Sequence, residues 1–173
     1  MSTTNIVPTP STGSAPMPSE AVFRPAAKAA ERSFLGGRAR VRLEAAVTGG
    51  WLGVHDHLLP ADTATPWHVH PNDDESFLVL AGTVEFKIGD ERLTAGTDDS
   101  AFVPRGVPHA FRVASPEGAR LLCLGTPGGH EAFFLDAGDP VDAAPSPPDL
   151  ERMARAAAAA GFAILGPPPF GNA

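Results

Sequence analysis

The sequence predicts an all-β domain, a sheet curled on itself, with helices confined to its C-terminal end. Three observations carry this expectation. About eight short segments of alternating apolar and polar residues follow one another between residues 38 and 125. Glycine, proline or a polar turn closes most of them. Helical patterns longer than a single turn appear only beyond residue 128. The strands therefore do not alternate with helices as a parallel α/β sheet requires, and the pattern is that of a sandwich or barrel.

The first 20 residues are rich in Ser, Thr and Pro and nearly free of large apolar side chains, so they bury too little surface to offset their ordering entropy. Residues 1–37 are expected to be a disordered or extended N-terminal tail. Within it, A-A-K-A-A-E-R at 26–32 fits a short helical turn or a continuation of the tail. From Ala39, A-R-V-R-L-E-A-A-V alternates as a half-buried strand does. Thr48-Gly49-Gly50 turns the chain into a second strand, W-L-G-V-H-D-H-L-L. Further strands are expected at 66–70, 75–80, 83–88, 100–104, 109–114 and 119–125, with Gly82, Gly89, Pro116 and Gly118 between them. The barrel thus spans residues 38–127, and the absence of an internal repeat makes it a single barrel. Residues 128–173 form a C-terminal helical extension and tail: a helix over roughly 129–137, a Pro- and Asp-rich linker over 138–148, and a second helix running from an Asp149 N-cap through an alanine run to Gly161.

The chain has 173 residues, one domain's worth, and a net charge of −7 with no basic cluster. That balance argues against nucleic-acid or membrane partners. No apolar run reaches membrane-spanning length, and the N-terminus lacks the pattern of a secretory signal, so the cytoplasm is the expected location. The single cysteine, Cys123, excludes an internal disulfide and sits in the apolar run L-L-C-L, which reads as a buried structural thiol.

Four residues carry the chemistry: His68, His70, Glu75 and His109. Residues two apart on a strand share a face, so His68 and His70 point one way and Trp67 and Val69 the other. Pro71 to Asp74 reads as a turn. Glu75 opens the strand S-F-L-V-L, on which Glu75, Phe77 and Val79 share a face. Antiparallel pairing of that strand with the histidine strand would return Glu75 beside the imidazoles. His109 follows the turn R-G-V-P, and a curled sheet would place all four side chains inside. Three imidazoles and one carboxylate suit a divalent first-row metal with positions left open for substrate or water.

Other residues are weaker candidates. His55 and His57 form a second H-x-H for which the sequence offers no partner. One of them is expected to line the barrel as a hydrogen-bonded group, with His57 a pocket residue that positions substrate or relays a proton. His130 is expected at the surface near a helix start, and Asp73 and Asp74 in solvent at the turn. Phe77, Phe86, Phe102 and Phe111 are expected mainly in the core, with Phe77 and Phe111 facing the metal as an apolar pocket lining.

The runs P-W-H-V-H-P-N-D-D-E-S-F-L-V-L-A-G and G-T-D-D-S-A-F-V-P-R-G-V-P-H resemble the paired motifs of the cupin superfamily, G-x5-H-x-H-x3,4-E-x6-G and G-x5-P-x-G-x2-H-x3-N. The first matches at His68, His70, Glu75 and Gly82, with Asp62 in place of the leading Gly. The second matches at Pro104, Gly106 and His109, with Val113 in place of Asn and Asp98 in place of the leading Gly. More narrowly, T-P-W-H-V-H-P-N-D-D-E-S-F-L-V-L-A-G, F-V-P-R-G-V-P-H-A-F, P-G-G-H-E-A-F-F-L and A-I-L-G-P-P-P resemble the small single-domain cupins grouped with quercetin 2,3-dioxygenase, over roughly residues 40–169.

The resemblance implies a cupin double-stranded β-helix, or jelly-roll barrel, and a homodimer. It implies one divalent transition metal per chain (Fe, Ni, Co, Mn or Zn) on His68, His70, Glu75 and His109. It also implies a small-molecule substrate cleaved at an aromatic or enolic C–C bond, with dioxygen as co-substrate and Glu75 as catalytic base. Two alternatives share the same residues: a non-oxidative metal-dependent cyclase, isomerase or decarboxylase, and a ligand-binding cupin without turnover.

Overall fold

Alternating side chains close two antiparallel sheets around one core. The computed structural model describes residues 20–144 and 146–171; the run before residue 20, expected from the sequence to be tail, lies outside them. In chain order the elements are β1 (Ala30–Phe34), β2 (Gly37–Leu43), β3 (Gly53–Leu59), β4 (Trp67–Val69), β5 (Asp74–Ala81), β6 (Val84–Ile88), β7 (Glu91–Ala95), β8 (Ser100–Val103), β9 (His109–Val113), β10 (Ala119–Thr126), α1 (Ala132–Ala137), α2 (Leu150–Ala159) and β11 (Ala163–Gly166). One sheet has the order β1-β2-β3-β10-β5-β8 and the other β11-β4-β9-β6-β7. This is the expected double-stranded β-helix, with both helices following the barrel. Among the described residues no helix is long and apolar enough to cross a membrane.

Strand parity decides what the sheets enclose. Phe77 and Val79 of β5, Val84 and Phe86 of β6, Phe111 and Val113 of β9, and Leu121 and Cys123 of β10 all point inward and are buried. Burial of a side chain such as Phe86 contributes about 1.5–3 kcal/mol. Cys123 is buried as the apolar run predicts. Phe102 is not the core residue expected. Val103 takes the inward position on β8, so Phe102 faces out and is 60% exposed.

Three strands escape a pattern reading, each for a local reason. β1 falls in the expected tail, yet it pairs with β2 from Phe34↔Gly37 to Ala30↔Val41. The loop Leu35-Gly36 has both φ angles positive, 49° and 76°, as a two-residue hairpin loop of type I′ requires. Leucine is an unusual occupant of such a position, so only Gly36 hints at the turn. In β7, E-R-L-T-A, the first four side chains are exposed and show no buried alternation. β11 lies in the expected C-terminal tail but pairs with β4, Ala163↔Val69 and Ile164↔His68.

The C-terminal helices close one end of the barrel. Asp149 caps α2 by accepting from the Arg152 amide at 2.9 Å. Met153, Ala156 and Ala157 form its buried face, at the i, i+3, i+4 spacing of one helical stripe. They pack with Phe34, Phe133, Ala137 and Phe162 in a second apolar cluster. The alanine run is thus a small-residue packing face.

On the outer side of the six-stranded sheet, Asp56 is fully buried beneath three guanidinium groups. Arg40 reaches it at 2.9 Å and Arg120 at 3.2 Å, and Arg42 donates to its other oxygen. Burial pushes the Asp56 carboxyl up, but the Arg42 hydrogen bond and the charges of Arg40, Arg42 and Arg120 outweigh it and hold the group below its ordinary 3.8. Its stabilisation is therefore fully present above that value and lost as pH falls through the lower folded-state pKa. We predict that Asp56→Asn costs about 3 kcal/mol at pH 7 and flattens the acid limb of the stability profile. Urea unfolding at a series of pH values measures both.

Candidate metal centre

The four residues singled out by spacing converge inside the barrel. β4 and β9 are neighbours, and their backbone pair is His68↔His109. Glu75 comes from the opposite sheet. The expected pairing of β5 with the histidine strand does not form, because β10 and β8 occupy the two edges of β5. The turn after His70 carries the chain across the barrel instead, and Glu75 faces the imidazoles from the other wall. One ligand atom each from His68, His70, Glu75 and His109 lies within 4.8 Å of the others. His70, Glu75 and His109 are buried and His68 is half-buried.

The hydrogen bonds settle how the rings are presented. His68 Nδ1 lies 2.9 Å from the Pro66 carbonyl and His109 Nδ1 3.1 Å from the Val107 carbonyl. His70 Nδ1 lies 3.0 Å from Asp73 Oδ2. Each acceptor suits a ring proton on Nδ1 and turns Nε2 inward, the way metal-ligating histidines are held. Glu75 Oε2 then sits 3.0 Å from His109 Nε2 and 3.5 Å from His70 Nε2. The His109–Glu75 contact is of hydrogen-bond length, and the three imidazoles and the carboxylate oxygen face one common point. The donor set and its tautomers therefore fit a divalent metal.

Burial pushes His68 down to about 3, with the nearby His109 adding to the effect. For Glu75 burial pushes upward, but the His109 hydrogen bond and the charges of His130, His70 and His109 outweigh it, so the carboxyl stays well below its ordinary value.

Two expectations about the surroundings are corrected. His130 is buried, not at the surface, with 3% exposure. The glycines around it make the room: a Cβ on Gly125 would lie 2.3 Å from His130 Cε1, and one on Gly128 2.6 Å from the Leu52 carbonyl carbon. The segment after β10 can therefore fold back onto β3. The adjacent Glu131, which sequence reading missed, is buried too and accepts from the amides of Ala45 and Gly129. Asp73 is likewise buried, because its Oδ2 accepts from His70 and, at 2.7 Å, from His130 Nδ1. Burial raises the Asp73 carboxyl, but these two bonds dominate and hold it near 2. Asp74 is half-buried and bonds to Arg105 at 2.8 Å.

His55 and His57 are both buried inside the barrel and linked, His55 Nδ1 to His57 Nε2 at 2.9 Å. His57, Phe77 and Phe111, the expected pocket residues, line one cavity together with His68, His70 and Glu75. Its far wall comes from the C-terminal segment: Phe134, Met153, Phe162 and Ile164. The Phe162 ring stacks on His70, 4.7 Å between centroids and 18° between planes. No periodicity marks Phe162. Its place depends on β11 pairing with β4.

Residues 54–125 match the family model described as a cupin domain. That run resembles a cupin domain, in agreement with the barrel it forms. Over 108 residues, 59% of this chain, it is 35% identical to quercetin 2,3-dioxygenase of Bacillus subtilis, and the match covers 32% of that protein. The chain thus spans about a third of that relative's length. Among solved structures it resembles oxalate decarboxylase of Bacillus subtilis, with a TM-score of 0.54 and 23% identity over 61% of this chain and 28% of the other. It also resembles KdgF from Halomonas sp., with a TM-score of 0.55 and 16% identity over 62% of this chain and 94% of that one. At these identities the structural likenesses establish the fold alone.

The Asp73 carboxylate accepts from His70 and so fixes its ring beside His68, Glu75 and His109. We predict that Asp73→Asn weakens binding of Zn(II) or Mn(II) by about 10–100-fold, measured by isothermal titration calorimetry on metal-stripped protein. Unchanged affinity would show that Asp73 does not orient the site.

Proposed function

We propose that this cupin is a metal-dependent dioxygenase that cleaves an aromatic or enolic C–C bond of a small molecule, in the manner of quercetinases. One observation carries the reading: three histidines with every Nδ1 engaged converge with one buried carboxylate, and His68, His70 and Glu75 of that set open onto a cavity walled by phenylalanines. The 35% identity to quercetin 2,3-dioxygenase supports it.

His68, His70, His109 and Glu75 would hold Fe, Ni, Co, Mn or Zn, and such an ion would supply Lewis acidity toward a bound hydroxyl and, if redox-active, a route to dioxygen. Glu75 is the group placed to take the proton from an enol or phenol hydroxyl, since its carboxyl is ionised at neutral pH and faces the cavity. His57 has its Nε2 engaged by His55, which leaves Nδ1 as the atom to meet a polar group of the substrate. Burial holds His57 neutral by lowering its pKa to about 4. Phe77, Phe111, Phe134 and Phe162 exclude water and offer flat apolar surface to an aromatic ring. A homodimer accompanies this reading. On the outer face of β5 and β8, Leu78 and Leu80 are half-buried and Phe102 exposed, a surface suited to a second copy. A dimer mass by light scattering is expected, and a monomer mass would exclude it.

The test is dioxygen uptake by metal-stripped protein reconstituted in turn with each of the five metals, against flavonols, catechols and β-diketones. Uptake that requires one metal and one substrate class is expected. Glu75→Gln should keep most of its metal and lose about 10²–10⁴ of the turnover. No uptake with any pairing, despite bound metal, would overturn the dioxygenase reading and favour Lewis-acid chemistry or ligand binding without turnover.

A further inference from the structure

All six histidines of the chain lie in one interior cluster, but the centre described above uses only three. The second H-x-H, which had no partner in the sequence, acquires one in the fold. His55 Nε2 lies 3.0 Å from His130 Nε2, and His130 Nε2 lies 3.6 Å from Glu75 Oε1. The ligand atoms of His55, His130 and Glu75 fall within 4.8 Å of one another, and all three side chains are buried.

The other atoms of these groups are already occupied. His130 Nδ1 donates to Asp73 Oδ2, the same oxygen that orients His70. His55 Nδ1 is engaged by His57 Nε2. Glu75 divides its two oxygens: Oε2 faces His70 and His109, and Oε1 faces His130. What remains is a pair of imidazole nitrogens and a carboxylate oxygen, aimed at one another in a buried space. A single proton satisfies one N–H···N link and leaves the carboxylate oxygen outside it. A divalent ion about 2.0–2.1 Å from each donor would satisfy all three, and separations of 3.0 and 3.6 Å, the first also a hydrogen-bond length, are compatible with atoms sharing such an ion.

We infer that the barrel has a second divalent-cation position, held by His55, His130 and Glu75 Oε1, with Glu75 bridging it to the first. The ion class is a borderline first-row divalent metal such as Zn(II) or Mn(II), as two imidazoles and a carboxylate prefer. Asp73 is the shared carboxylate behind one histidine of each position. The neighbouring trio His55, His57 and Cys123 is the poorer site, since burial pushes the Cys123 thiol well up and away from the thiolate a metal needs. The inference depends on the proposed centre only through Glu75, and the two fail separately.

The experiment is metal stoichiometry. Full-length metal-stripped protein is saturated with Zn(II) or Mn(II), freed of excess and assayed by elemental analysis. Two ions per chain are expected, falling to one in His130→Gln and to one in His68→Gln. The Mn(II)-loaded protein should give an exchange-coupled electron paramagnetic resonance spectrum, and His130→Gln an isolated-ion spectrum. One ion per chain that survives His130→Gln and is lost in His68→Gln would overturn the second position and leave the first intact. One ion that survives His68→Gln and is lost in His130→Gln would overturn the first centre and uphold the cation site at His130. The unsubstituted protein's stoichiometry and spectrum need no variant to fold. A single isolated ion there overturns the two-ion barrel, and the two variants then decide which position holds it.

Discussion

Two buried carboxylates, Asp73 and Glu75, organise everything at the centre of this barrel. Imidazoles desolvated inside an apolar wall are costly unless each ring proton has an acceptor and each lone pair a partner. Asp73 supplies the acceptor for His70 and His130 through a single oxygen. Glu75 faces His70 and His109 across the barrel with one oxygen and His130 with the other. The pair places several negative and polar groups in a space that a cation completes. Those polar groups, more than any one side chain, leave the interior a lined cavity and not a filled apolar core.

The rest of the fold serves to hold those two carboxylates opposite the histidines. β5 delivers Glu75 because β10 and β8 fix both of its edges. β4 and β9 deliver His68 and His109 as a backbone pair. The C-terminal segment then closes the site: α2 packs Met153, Ala156 and Ala157 onto Phe34 and Phe133, and β11 adds to β4 so that Phe162 stacks on His70. The barrel, its N-terminal hairpin and its C-terminal strand are thus parts of one cavity wall. Gly125 and Gly128 contribute by what they lack, because a side chain at Gly125 would strike the His130 ring and one at Gly128 the backbone of Leu52 and Gly53.

The alternation of β2, β3, β5, β6, β9 and β10 was legible because each has one face in the core and a period of two. The helix from Asp149 was legible because its cap is local: the side chain bonds an amide three residues on. His68, His70, Glu75 and His109 were legible as a set because their spacing on strands constrains their faces. β7 was not, because its residues are mostly exposed and leave no alternation. β1 and β11 were not, because they are strands only through their partners, β2 and β4.

The sequence by itself determined the barrel class, the inward faces and the identity of the four convergent residues, since parity and turn chemistry are local properties of the chain. Only the tertiary structure decided that Glu75 approaches from the opposing sheet and that Asp73 and His130 are buried partners. It alone decided, too, that His55 meets His130 across residues 75 apart. Those relations depend on which strand edges are free and on where missing side chains leave space. Neither is written in any local pattern.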